Sequence, residues 1–224
     1  MAWYTLAFIS AILSATAAIF EKKSLIKLEA LEFTFFVSIT GLIFSLPFGF
    51  DISLSSISTT GFIVLFIKTI LNALSFYFVM KALKDLDISN SLPLMELTPG
   101  FVVVLGIFFL NEIPSLFQVV GILFLITGTY IINLKKGNKI LDPVLVFFKS
   151  KGHNFILFAL ILFTITSILD KVIVVKLNVS PEHFIFFHHL LTFLIFFSII
   201  LFAGNNTKNN IFKNISKELL ILIL

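Results

Sequence analysis

Residues 61–110 read GFIVLFIKTILNALSFYFVMKALKDLDISNSLPLMELTPGFVVVLGIFFL, two long apolar runs parted by Lys84, Asp85 and Asp87. A hydrocarbon layer about 30 Å thick is crossed by about 20 apolar residues in helical form, and each run has that length. Neither run alternates polar and apolar residues, as a barrel strand with a wet lumen would. The stretch therefore predicts two membrane-crossing helices, at about 61–83 and 88–110, joined by a short charged turn.

Working outward, the same pattern recurs at about 2–20, 31–49, 114–134, 155–176 and 182–203, and an eighth run begins near Glu218. Lys22 and Lys23 are expected to end the first helix, Pro47, Gly49 and Asp51 the second, and Pro114 to occupy the first turn of the fifth, where its missing N–H costs nothing. The first run lacks a positive leading segment and is too long for a signal peptide, so it reads as a retained helix. The fold class is all-α, a polytopic membrane helix bundle of seven helices plus the start of an eighth. Of the residues, 58% are hydrophobic and only 12% charged, with a mean hydropathy of +1.11, so a large water-facing domain has no room.

The formal charge of +4 comes from sixteen lysines without one arginine, gathered between the apolar runs and not on one basic face, which argues against nucleic acid. Cysteine is absent, removing thiolate metal sites and disulfides. No metal-ligand spacing, phosphate-cradling glycine loop or paired catalytic carboxylates stand out, so the chain reads as neither an enzyme nor the holder of a metal or cofactor. Alternating the helices across the bilayer puts thirteen lysines on one side, which positive-inside counting makes cytoplasmic, with the N-terminus external.

Two units are legible. Glu21-Lys22 and Asp170-Lys171 each follow the first helix of a unit, and Ile12, Leu13 and Ile19 recur as Ile161, Leu162 and Ile168 at an offset of 149. A lysine-rich linker, 138–154, separates a first five-helix unit, 1–137, from a second, 155–224. An odd number of helices per unit inverts the second copy in the membrane, an arrangement that many transporters use. After a two-residue insertion Phe33-Thr34-Phe35-Phe36 is echoed by Phe184-Ile185-Phe186-Phe187, which puts Leu224 opposite about position 73, so the second repeat is expected to be truncated.

Ala82-Leu83, Asp87-Ile88-Ser89, Pro93-Leu94, Pro99, Leu110-Asn111-Glu112 and the glycines from Gly121 to Gly128 together resemble the EamA family of the drug/metabolite transporter superfamily. Asn111 departs from it, standing where a glycine commonly precedes the acidic corner. The resemblance implies ten helices in two inverted repeats, a cavity near the midplane, an N-terminus inside the cell, and transport of small metabolites, often coupled to protons. Pro93, Pro99, Gly100, Glu112, Gly121 and Gly128 are its structural markers here.

Ionisable groups at membrane depth are costly unless paired, neutralised or facing a wet cavity. Lys68 and Glu96 are accordingly the leading solute- or ion-binding candidates. Their Cα levels differ by roughly 9 Å at 1.5 Å per residue, and Asn72, one turn from Lys68, is placed to bridge them. Lys68 could equally snorkel to a headgroup layer, and Glu96 could be a protonated, hydrogen-bonded carboxyl. Pro93 and Pro99-Gly100 flank Glu96 and deprive that helix of backbone hydrogen bonds, exposing carbonyls or merely kinking it. Glu21, Lys22, Asp170 and Lys171 are candidates through their symmetric recurrence, against simple interfacial solvation. His188 is one because a histidine titrates in the physiological range, against plain interhelical bonding.

The expected activity is a secondary carrier of small organic metabolites by alternating access in the cell (plasma) membrane. Its partners are a small-molecule solute, the lipid bilayer, protons as the candidate coupling ion, and a second copy in a homo-oligomer. The competing expectation is a non-transporting remnant or assembly partner on a transporter scaffold.

Overall fold

The structure, a computed structural model, describes residues 3–50, 57–133, 148, 150–203 and 211. Within them the regular structure is helical throughout: α1 (Trp3–Leu25), α2 (Ala30–Ser45) prolonged by a 3-10 turn (Leu46–Gly49), α3 (Thr59–Asp85), α4 (Ile88–Met95), α5 (Thr98–Leu110), α6 (Leu116–Asn133), α7 (Lys151–Lys171) prolonged by a π turn (Val172–Lys176), and α8 (Pro181–Leu201). With α4 and α5 counted together, seven segments are long and apolar enough to cross a membrane. The expected eighth run and most of the 138–154 linker lie outside the described residues.

Local chemistry sets the boundaries. Ser58, Ser150 and Ser180 each stand before a helix and accept a hydrogen bond from the N–H three residues on, at 3.1, 3.4 and 3.3 Å. Lys22 and Lys23 do not end α1, which runs on to Leu25, since a lysine in a last turn complements the helix dipole. Nor is Pro114 in the first turn of α6. That helix starts two residues later, where the Ser115 N–H donates to Gln118 Oε1 and the Gln118 N–H to Ser115 Oγ, a reciprocal cap.

The fourth span is broken. Proline at position 99 cannot donate to the Met95 carbonyl, which accepts instead from Thr98 Oγ1 at 2.6 Å, while the Pro93 carbonyl is taken by Thr129 Oγ1 of α6 at 3.0 Å. Both freed acceptors are thus satisfied by side-chain hydroxyls, as a water-poor interior requires.

The spans alternate in direction. Lys22 at the end of α1 and Gly152 at the start of α7 both meet the end of α3 near Leu86, so α1 and α7 run oppositely through the bundle. The core lies among α2, α3, α7 and α8, with Phe33, Phe36, Met80, Leu83, Ala159 and Phe196 buried together. Between lipid-solvated helices, close packing and polar contacts supply the attraction that the hydrophobic effect supplies in water. Small residues permit it: Ser75 Oγ reaches the Ala159 carbonyl at 3.3 Å, and Cβ atoms added at Gly41 and Gly49 of the α2 segment would lie 2.6 Å from His189 and Phe186 of α8. By contrast α1 sits on the outside, with Phe8 and Leu13 exposed.

Candidate functional site

Two helices bring charge into the bundle and a third brings an imidazole. Lys68, on α3, is only 3% exposed, and its Nζ lies 2.9 Å from Oδ1 of Asp170 near the end of α7. The contact is charge on charge: its angles fall outside hydrogen-bond geometry, and the buried Oδ1 accepts no hydrogen bond among the described residues. The same ammonium stands 3.4 Å from Nδ1 of His188 on α8 and 4.8 Å from the centre of the Phe184 ring, over its face. Phe184 and His188, one turn apart, stack almost parallel at 6.0 Å. With Lys68 as donor, Nδ1 of His188 is the acceptor, which puts any imidazole proton on Nε2.

Beside this cluster is a cavity of about 350 Å³ between α2, α3 and α8, lined by Ser38, Thr40, Gly41, Asn72, His188 and His189 among others. His188 belongs to both the cluster and the cavity wall. Gly41 makes the wall possible, for a side chain there would collide with the His189 ring.

The carboxylate partner of Lys68 is therefore Asp170 and not Glu96, and Asn72 lines the cavity instead of bridging Lys68 to Glu96. The cause is azimuthal: Lys68 faces α7 and α8, whereas Glu96 caps the C-terminus of α4 and faces α6. Glu96 lines a separate cavity of about 460 Å³ with Pro93, Gly121, Gly128 and Thr129. Gly121 and Gly128 leave open space there, with no atom within 4 Å of an added Cβ. Pro99 is exposed, and Gly100 approaches Ile122 of α6.

The remaining candidates fasten the two ends of the bundle. Lys22 donates to the carbonyls of Leu83 and, at 2.9 Å, Leu86, while half-buried Glu21 precedes it. At that end Lys84 pairs with Glu29. At the other, Lys171 pairs with Glu112, on the rim of a third cavity of about 440 Å³. Asn111 there has φ 56°, and the Glu112 N–H closes back on the Gly106 carbonyl at 3.2 Å. This is a helix closure that needs a left-handed residue, which asparagine supplies nearly as well as glycine.

Thr34, Ser38, Thr40 and Thr192 join the site without having been singled out in the sequence as site residues. A usable signal existed in the polar spacings 34-38 on α2 and 188-192 on α8, each one helical turn.

The model of the EamA-like transporter family matches residues 1–134. No curated protein and no solved structure matches the chain.

Proposed function

The chain belongs to the EamA-like transporter family, and on that premise we propose that it is a secondary carrier that moves a small organic solute through the α2–α3–α8 cavity by alternating access. The observation that carries this reading is the juxtaposition of the cavity with the buried Lys68–Asp170 pair. Ionisable groups buried among membrane helices are costly and rare, and a pair of them beside a cavity supports a solute or ion pathway. A cavity of about 350 Å³ lies at the lower end of the range for small-molecule sites, which suits a metabolite.

Two inverted repeats provide the moving parts in this reading. The opposed directions of α1 and α7, and the packing of α2 against α8, support a pseudo-two-fold relation between the units. Lys22 with the end of α3, and Lys171 with Glu112, close opposite faces and must break in turn as the cavity changes sides. Protons are the candidate coupling ion, exchanged at the cluster of Lys68, Asp170 and His188.

The test is counterflow in proteoliposomes holding the full chain and loaded with a labelled metabolite mixture. Solute-dependent exchange that Asn72→Ala slows is the expected result. Equal leakage from protein-free vesicles would overturn the carrier reading in favour of an assembly role.

A further inference from the structure

The cluster around Lys68 has the makings of a receptor for an ammonium ion, already holding one. A carboxylate at 2.9 Å, an aromatic face at 4.8 Å and an imidazole nitrogen at 3.4 Å surround the Lys68 ammonium. Carboxylate and ring face are together how proteins select organic cations. Lys68 and Oδ1 of Asp170 are enclosed, whereas the Asp170 side chain as a whole is 38% exposed, so its other oxygen is the group that an incoming solute can meet first.

The cavity wall has the same bias, by an independent route. Thr34, Ser38, Thr40 and Thr192 each donate their hydroxyl proton to a carbonyl of their own helix, at 3.0, 2.7, 2.8 and 2.7 Å. What these hydroxyls have left to offer is oxygen lone pairs. These four hydroxyls therefore suit a solute that donates hydrogen bonds, beside Asn72 and the two histidines, which can either donate or accept.

We propose that the solute is an organic ammonium ion, that Asp170 with Phe184 and His188 is its receptor, and that Lys68 is a tethered cation holding that receptor between solutes. The inference rests on the carrier reading and names its substrate class. Charge balance then dictates the coupling. The groups facing Lys68 are Asp170 from α7 and His188 and His189 from α8, while α2 contributes hydroxyls and Gly41 to the adjoining wall. Two ammonium ions on one partly enclosed carboxylate repel each other. As the solute R–NH3+ takes Asp170, Lys68–NH3+ therefore gives one proton to water, by way of His188 Nδ1, and becomes Lys68–NH2. One N–H bond breaks and the net charge of the site is unchanged, so one cation enters for each proton released.

The experiment uses the purified full chain in weakly buffered detergent at neutral pH. The probes are primary ammonium ions from ethyl- to phenethylammonium, with carboxylates of the same chain lengths. Binding is followed by calorimetry and proton release by an indicator dye. The ammonium series should bind with about one proton released per molecule, and Asp170→Asn should weaken binding by more than about tenfold. Asp170→Glu should retain binding, and Lys68→Met should bind without releasing a proton. Preference for the carboxylates, binding indifferent to Asp170→Asn in a protein still monodisperse on gel filtration, or binding without proton release would each overturn the proposal. Binding of neither series would do so too. Counterflow of the metabolite mixture, scored separately, decides whether the carrier reading survives that failure.

Discussion

The two acidic-lysine steps, Glu21-Lys22 and Asp170-Lys171, begin as near copies and end in different surroundings. In the last turn of α1, Lys22 is held by uncharged carbonyls at the end of α3. In the last turn of α7, both residues meet charge: Asp170 faces Lys68, and Lys171 faces Glu112. The helices that carry them differ likewise. Ile19 on α1 is 49% exposed and its counterpart Ile168 on α7 only 8%. Repetition in sequence thus sets where a charged step falls along a helix, while the neighbours that packing supplies set what it does.

The comparison can be broken most forcefully at the acids. Asp170→Asn leaves Lys68 buried without its counter-charge and should cost about 2–3 kcal/mol, below the value for a fully buried pair because the carboxylate is partly exposed. Glu21→Gln should change stability by less than about 0.5 kcal/mol. Thermal unfolding in detergent checks both, and equal losses would mean that the two steps are equivalent after all.

Next come the matched isoleucines. Ile168→Ala should cost about 1–2 kcal/mol through the cavity it leaves, whereas Ile19→Ala, against lipid, should be close to neutral. The lysines should differ less. Lys22→Met removes the donor to the α3 carbonyls and should cost about 1 kcal/mol, with faster hydrogen exchange at the end of α3. Lys171→Met breaks an exposed pair worth roughly 0–1 kcal/mol. Smallest is the corner beside that pair: Asn111→Gly should shift stability by only about 0.5 kcal/mol, while Asn111→Val, forced into a left-handed backbone, should cost about 1–2 kcal/mol.

Much of the fold was legible for one reason. In a hydrocarbon solvent each span needs continuous apolar length and internal backbone bonding, so composition alone marks it. The misplaced boundaries at Leu25 and Leu116 concern end chemistry, where a lysine finds a carbonyl or a serine makes a cap. The site was harder to read. Lys68 was recognisable as a costly charge at membrane depth, Asp170 only as a recurring step at a helix end and His188 as a titratable group. The one link drawn from Lys68 ran through Asn72 toward Glu96 and not to Asp170. Thr34, Ser38 and Thr192 gave little notice, because a hydroxyl bonded to its own helix is inexpensive anywhere in a span.

The sequence by itself determined an all-helical membrane protein and the order and approximate limits of its described spans. Tertiary structure alone decided that Lys68 meets Asp170, that Glu96 faces α6, and that a cavity opens between α2, α3 and α8. The reason is the solvent: lipid-facing and helix-facing surfaces are both apolar, so hydrophobic periodicity does not mark the inward side. Which face of α3 turned inward was settled by the close approach of small residues such as Ser75 and Ala159, and that rotation placed Lys68 opposite a carboxylate about a hundred residues away.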